Sequence, residues 1–199
     1  TNFNDSDSNA LIKEFPAGVG EYFVPTLGLM LNSFIVSVVL ILISYFAGMK
    51  LIGDIGITPD ALSKAMESLS AFKTFLMGLS EEQLFKLNAW NLLLFGTMSV
   101  NYFLIMFYSP ALFFKEKNPF KAFFLSLKDL FSKKFLENFG VYLMLFVSYF
   151  VLSVLSTLFG ANIVIHFVFT LINFYYLVFI AVLVFNYYYS KFVKIDRIA

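Results

Sequence analysis

A chain of 199 residues that is 60% apolar and 14% charged, with a mean hydropathy of +0.82, cannot fold as an ordinary water-soluble domain, because it has too little polar surface to cover its apolar side chains. A net charge of +1 excludes nucleic-acid recognition through a strongly basic footprint, and the lack of cysteine excludes disulfides, thiolate metal sites and cysteine nucleophiles. The length suits a single membrane domain, residues 1–199, without a separate soluble catalytic domain beside it.

Taken in chain order, residues 1–8 are polar and acidic and are not expected to act as a secretory signal peptide. The first apolar run, 27–49, is long enough to cross a bilayer, which takes about 20 helical residues. Thr58-Pro59 then opens an amphipathic helix over 59–79, with Leu62, Met66, Leu69, Phe72, Phe75, Leu76 and Leu79 along one stripe. Ser80-Glu81-Glu82-Gln83 reads as a capping box that starts the next helix, whose apolar run is 87–108. Asn118 as N-cap and Pro119 at the first helical position open a second amphipathic helix, 119–131. Its apolar positions are Phe120, Phe123, Phe124, Leu127, Leu130 and Phe131, with Lys121, Lys128 and Asp129 on the other side. This helix is too short and too charged to span, so it is expected in the membrane interface. The third and fourth runs, 139–159 and 163–189, are separated by Gly160-Ala161-Asn162, a turn that makes them antiparallel neighbours. None of the four runs contains Asp, Glu, Lys or Arg, and the last carries Tyr187-Tyr188-Tyr189 towards the headgroup layer.

These elements predict an all-α integral membrane protein with four transmembrane helices. With four crossings, the N-terminus, the 109–138 connection and the C-terminus share one side. That side holds Lys13, Lys115, Lys117, Lys121, Lys128, Lys133, Lys134, Lys191, Lys194 and Arg197, against Lys50, Lys64, Lys73 and Lys86 on the other. The positive-inside rule then predicts a multi-pass plasma-membrane protein with both termini cytoplasmic, which makes 59–79 an outer amphipathic helix.

A shift of 112 positions aligns Ala10 with Ala122, Phe23 with Phe135, Gly28 with Gly140, Ser44 with Ser156 and Gly48 with Gly160. It superposes an amphipathic segment plus crossing helix on another of the same kind, the first copy being interrupted by Pro16, Gly18 and Gly20. The chain therefore reads as two tandem parallel repeats, each an amphipathic helix with two spans. Ser33, Ser37, Ser44 and Gly48 line one helical face, and Ser153, Ser156 and Gly160 line its counterpart, as in close helix packing. The run Ser109-Pro110-Ala111-Leu112-Phe113-Phe114-Lys115-Glu116-Lys117-Asn118-Pro119-Phe120-Lys121-Ala122, followed by Ser126-Leu127-Lys128 and by 135–145, resembles the repeated element of prokaryotic multi-span proteins related to the membrane domain of glycerophosphodiester phosphodiesterases. The resemblance covers about residues 102–160, with an echo at 9–48. It implies a helical membrane fold and no catalytic residues, since the phosphodiesterase chemistry of those proteins resides in a separate soluble domain.

Few groups inside the spans could carry chemistry. His166, the one histidine, shares a face with Thr170 and Asn173, while Asn88, Asn91 and Ser99 form a comparable face beside Trp90. Polar groups in lipid are costly and usually turn to the bundle interior, where they line a polar track or hydrogen-bond a neighbouring helix; the second role explains these two faces without a ligand. The mid-span Tyr175 and Tyr176 read as packing residues, each with a hydroxyl partner. Lys121, Lys128, Lys133 and Lys134 are candidates for contacts with anionic headgroups. There is no carboxylate pair in the spans, no HExxH and no glycine-rich phosphate loop, and one histidine cannot hold a metal alone. The sequence thus predicts neither an enzyme nor a cofactor or metal. Its leading reading is an accessory, assembly or scaffold subunit of a membrane complex, whose partners are lipids and a membrane protein or a second copy. The alternative is a small permease or lipid-handling transporter, with a polar site where the two polar faces meet at the repeat interface.

Overall fold

The computed structural model describes residues 8–159 and 163–193, with side chains described over 20–159 and 164–193. The turn expected at Gly160-Ala161-Asn162, the segment 1–7, and Lys194 and Arg197 lie outside the described residues, as does the side chain of Lys13. The helices are α1 (Ser8–Leu51), α2 (Pro59–Ala65), α3 (Leu69–Met77), α4 (Glu81–Ile105), α5 (Tyr108–Phe114), α6 (Pro119–Leu130), α7 (Phe135–Phe159) and α8 (Ile163–Tyr188), followed by a π-helical turn, Tyr189–Val193. No strand occurs among the described residues. Four stretches are long and apolar enough to cross a membrane: Gly20–Leu51, Glu81–Phe114, Phe135–Phe159 and Val164–Val193.

Local chemistry sets most of the boundaries. The Thr58 hydroxyl accepts from Ala61 N ahead of Pro59, and Asn118 Oδ1 accepts from Phe120 N at 3.1 Å and Lys121 N at 3.2 Å ahead of Pro119. The capping box at α4 closes both ways, with Gln83 N donating to Ser80 Oγ at 3.2 Å and Ser80 N donating to Gln83 Oε1 at 3.1 Å.

Three boundaries differ from the pattern reading. The amphipathic stretch 59–79 is two short helices, because Ser68 takes an extended conformation and its hydroxyl accepts from Ala71 N to start α3 afresh. The second apolar run breaks at Met106 and Phe107. Pro110 has no N–H to bond the carbonyl of Met106, and its ring crowds that carbonyl, so the chain turns before continuing as α5. By contrast α1 runs unbroken through Pro16, Gly18 and Gly20.

The chain forms two compact units, Thr1–Ser33 with Tyr102–Ala199, and Phe34–Asn101. In the first, Phe103, Phe107, Ala111, Leu130, Tyr142, Leu145, Val184, Tyr188 and Phe192 form one buried cluster. Phe103 packs edge-to-face with the rings of Phe131, Phe135 and Phe139 at 5.7 to 6.3 Å between centroids. A Cβ at Gly28 would overlap the Pro119 ring, which shows how closely α1 approaches the start of α6, and Asn32 Nδ2 donates to Tyr108 OH at 3.2 Å beside that contact.

Candidate functional site

Within the unit Phe34–Asn101, the face of α1 carrying Ser37, Ser44 and Gly48 meets the face of α4 carrying Trp90, Leu93, Thr97 and Asn101. The spacings of 7 and 4 keep each set on one side of its helix. Asn101 Nδ2 donates to Ser37 Oγ at 2.9 Å. Thr97 Oγ1 donates to the Leu93 carbonyl at 2.8 Å, so its lone pair is left to accept from Ser44 Oγ at 2.5 Å. At the end of the seam the Trp90 ring fills the space where a side chain at Gly48 would stand. The indole then donates to Gly53 O at 3.0 Å, and Gly53, at φ 81°, is in the left-handed region that only glycine adopts readily. Small residues let the backbones approach, and neutral hydrogen bonds lock the register.

Within the other unit, a polar cluster ties α5, α6, α7 and α8 together at the ends of their spans. Asp129 Oδ2 accepts from Lys115 Nζ at 3.1 Å and from Tyr188 OH at 2.5 Å. The Asp129 and Lys115 side chains are 15% and 19% exposed, so the pair is shielded from most solvent. Asn138, fully buried, donates from Nδ2 to the carbonyls of Leu130 at 2.9 Å and Asp129 at 3.1 Å, and accepts from Tyr187 OH at 2.9 Å. It thereby satisfies carbonyls at the end of α6 that have no partner within the helix. Lys134 Nζ donates to the Lys191 carbonyl at 3.0 Å and stands 5.3 Å from the Phe192 ring centre. Tyr188, ahead of the π-helical turn, and Phe192 and Val193 within it are all buried. At the rim, Lys117 pairs with Glu21, and the hydrogen bond to that carboxylate, with its charge, raises the Lys117 pKa above the ordinary lysine value.

The sequence-derived candidates fall differently among these features. His166 and Thr170 are exposed on α8, Asn173 is half-buried, Thr170 Oγ1 donates to the His166 carbonyl, and Asn173 Nδ2 donates to the Phe169 carbonyl, so both polar groups are bonded within their own helix. Asn88 and Asn91 are exposed and Ser99 is half-buried, whereas the α4 side chains that meet α1 are Trp90, Thr97 and Asn101. The two candidate faces belong to different units. Lys121, Lys128 and Lys133 are exposed and Lys134 is half-buried. Asp129, read from the pattern as lying on the polar side of α6, turns inward to Lys115 and Tyr188. On α7 Ser153 is exposed, and the hydroxyl that meets α8 is that of Ser148, paired with Tyr176 OH. Among the described residues no group of three or more His, Asp or Glu side chains could hold a metal ion.

The fold defines an all-α chain with four helices long and apolar enough to span a membrane. Comparison of the chain with protein-family models, with curated proteins and with solved structures yields no match.

Proposed function

We propose that this chain is a non-enzymatic multi-pass protein of the plasma membrane, with both termini in the cytoplasm, serving as an accessory, assembly or scaffold subunit of a membrane complex. The carrying observation is where the polar groups of the spans go. Ser37, Ser44, Thr97 and Asn101 are joined across one helix seam, Ser148 and Tyr176 across another, and Thr170 and Asn173 bond their own helix. The paired groups hold helices together, and those bonded within their own helix need no solute as a partner. The apolar positions of α7 and α8, among them Val168, Leu171 and Tyr175, remain exposed and suit lipid or a partner helix. The excess of lysine on the 109–138 connection supports the orientation. The 112-residue shift supports an arrangement of two tandem parallel repeats, and the resemblance to phosphodiesterase-associated membrane domains agrees with a role without chemistry of its own.

The test is gentle extraction of tagged protein into nanodiscs, followed by mass measurement of the whole assembly and identification of its components. A protein partner or second copy at fixed stoichiometry is expected, and tryptophan at exposed Val168 should release it while leaving helicity intact. A stable monomer of 22.8 kDa without a partner refutes the reading. A co-purifying lipid or solute in its place points to a permease.

A further inference from the structure

The helix α6 divides into three stripes. Ala122, Ser126 and Leu130, all at 0% exposure, face the rest of the unit. Phe120, Phe124 and Phe131, exposed by 56%, 68% and 56%, form a second stripe roughly 140° around the helix at 3.6 residues per turn. Lys121 and Lys128 form a third, exposed stripe roughly 70° further on, and Lys133 follows in the connection to α7. The two ends of α6 are held at the membrane boundary. Its N-terminus follows the end of the span Glu81–Phe114 after four residues, and four residues separate its C-terminus from the start of Phe135–Phe159. The Asp129, Lys115, Tyr188 and Asn138 contacts fix its rotation about its own axis.

A helix so held has one side against the bundle, and its aromatic stripe has nowhere to go but the acyl boundary of the leaflet. The lysines then stand at headgroup depth on the outer flank. Among the described residues their charge is not consumed: the neighbouring lysines pair with acids, Lys115 with Asp129, Lys117 with Glu21 and Lys191 with Glu137, but no ion pair there involves Lys121, Lys128 or Lys133. We propose that Phe120, Phe124 and Phe131 with Lys121, Lys128 and Lys133 form an interfacial binding surface for anionic phospholipids, which gathers such lipids around α6. The ligand is the leaflet: the three rings require acyl chains beneath them, and the three ammonium groups require anionic headgroups beside those chains. The surface is independent of which compartment α6 faces and of whether the chain has a protein partner.

Because the chain has no cysteine, Phe124→Cys gives a single labelling site between Lys121 and Lys128. The labelled protein is reconstituted in vesicles holding brominated phosphatidylglycerol or brominated phosphatidylcholine at equal mole fraction, and fluorescence quenching by the two is compared at low salt. A lysine beside an anionic surface favours it by roughly five-fold, so three exposed lysines should make quenching by the anionic lipid at least several-fold the stronger. The ratio should fall as salt rises, and towards one in the K121Q/K128Q/K133Q variant. A label at Met98→Cys, exposed on α4 with no lysine or arginine within ten positions, should give a ratio near one. Equal quenching by the two lipids at Phe124→Cys overturns the proposal, as does a preference that salt and removal of the three charges leave unchanged. Should the triple variant fail to fold, the salt titration of the singly labelled protein decides alone.

Discussion

The contact between Lys115 and Asp129 offers the sharpest test of how the helices of the larger unit are joined. At 3.1 Å the bare attraction is about 5 kcal/mol for an effective dielectric of about 20, and desolvation of the two groups offsets most of it. Asp129→Asn keeps the shape and an oxygen able to accept from Tyr188 while removing the carboxylate charge beside the largely shielded Lys115 ammonium. The expected loss is about 2 kcal/mol, the worth of a hydrogen bond between charged groups. Lys115→Met should cost less, about 1 kcal/mol, because Asp129 keeps the Tyr188 hydroxyl. In the double variant neither charge is stranded, so the two losses should not add, and the coupling energy should be about 1 to 2 kcal/mol. Reversible unfolding in mixed micelles, driven by sodium dodecyl sulfate and followed by helical circular dichroism, measures all four corners of the cycle. A coupling below about 0.3 kcal/mol, the scatter expected of independent sites, would refute the view that this pair joins α5 to α6.

Four further outcomes follow from the other contacts. Gly48→Val should drive the Trp90 ring from its position, cost about 1 to 3 kcal/mol and shift the emission of the one tryptophan, whereas Gly96→Ala, with open space at its Cβ, should be neutral or stabilising by about 0.5 to 1 kcal/mol. Ser44→Ala and Thr97→Ala, combined in a cycle, should show a coupling of about 0.6 kcal/mol, and independent losses would argue against the hydroxyl pair. Asn118→Ala should weaken the start of α6 by about 1 kcal/mol, seen as faster amide exchange at Phe120 and Lys121 than at Leu130. The Glu21 carboxylate raises the Lys117 pKa in the folded chain, so the contribution of this pair is present at neutral pH, where both groups are charged, and on the alkaline side disappears as pH rises from the unfolded lysine value, about 10.4, through the higher folded value. The stability difference between the native chain and Glu21→Gln should therefore be flat through neutral pH and shrink in strong alkali.

The spans and caps were legible because each depends on residues close in sequence. A run without charges must satisfy its backbone internally in lipid and so becomes helix, and Asn118-Pro119 or Ser80 with Gln83 close their hydrogen bonds within three positions. The break before α5 left a local trace in Pro110, but the apolar pattern runs on through it to Phe114 and hides the turn. The polar cluster was not legible, because its partners are 14, 49 and 59 positions apart and nothing in the period of α6 separates Asp129 from an ordinary polar-face residue. What could have pointed to it is that Asp129 is the one acid in α6, a helix that follows a lysine-rich connection, and that three tyrosines stand in a run at 187–189. The face of α4 that meets α1 was not legible for a related reason. Asn88, Asn91 and Ser99 are its conspicuous polar residues, but packing against α1 is decided by where Gly48 leaves room, and that room is opposite Trp90.

Contacts amid the spans and contacts at their ends use different chemistry for the same physical problem. Apolar contact cannot tell a neighbouring helix from an acyl chain, so helices in lipid need something the lipid lacks. Along the seam of α1 and α4 that is a glycine with a ring against it and a series of neutral hydrogen bonds at Ser37, Ser44, Thr97 and Asn101, since a charge amid a span would be costly. At the ends of α7 and α8, where water and headgroups lower the cost of ionisation, the corresponding contacts are charged: Asp129 with Lys115, and Glu137 with Lys191. Exchanging the two sets would fail in both directions. A Lys and Asp pair at Ser44 and Thr97 would bring desolvation that its attraction barely offsets, and a serine and threonine at 115 and 129 would compete with water for every bond they form. Depth in the bilayer, more than helix propensity, therefore decides which polar residues can join these helices.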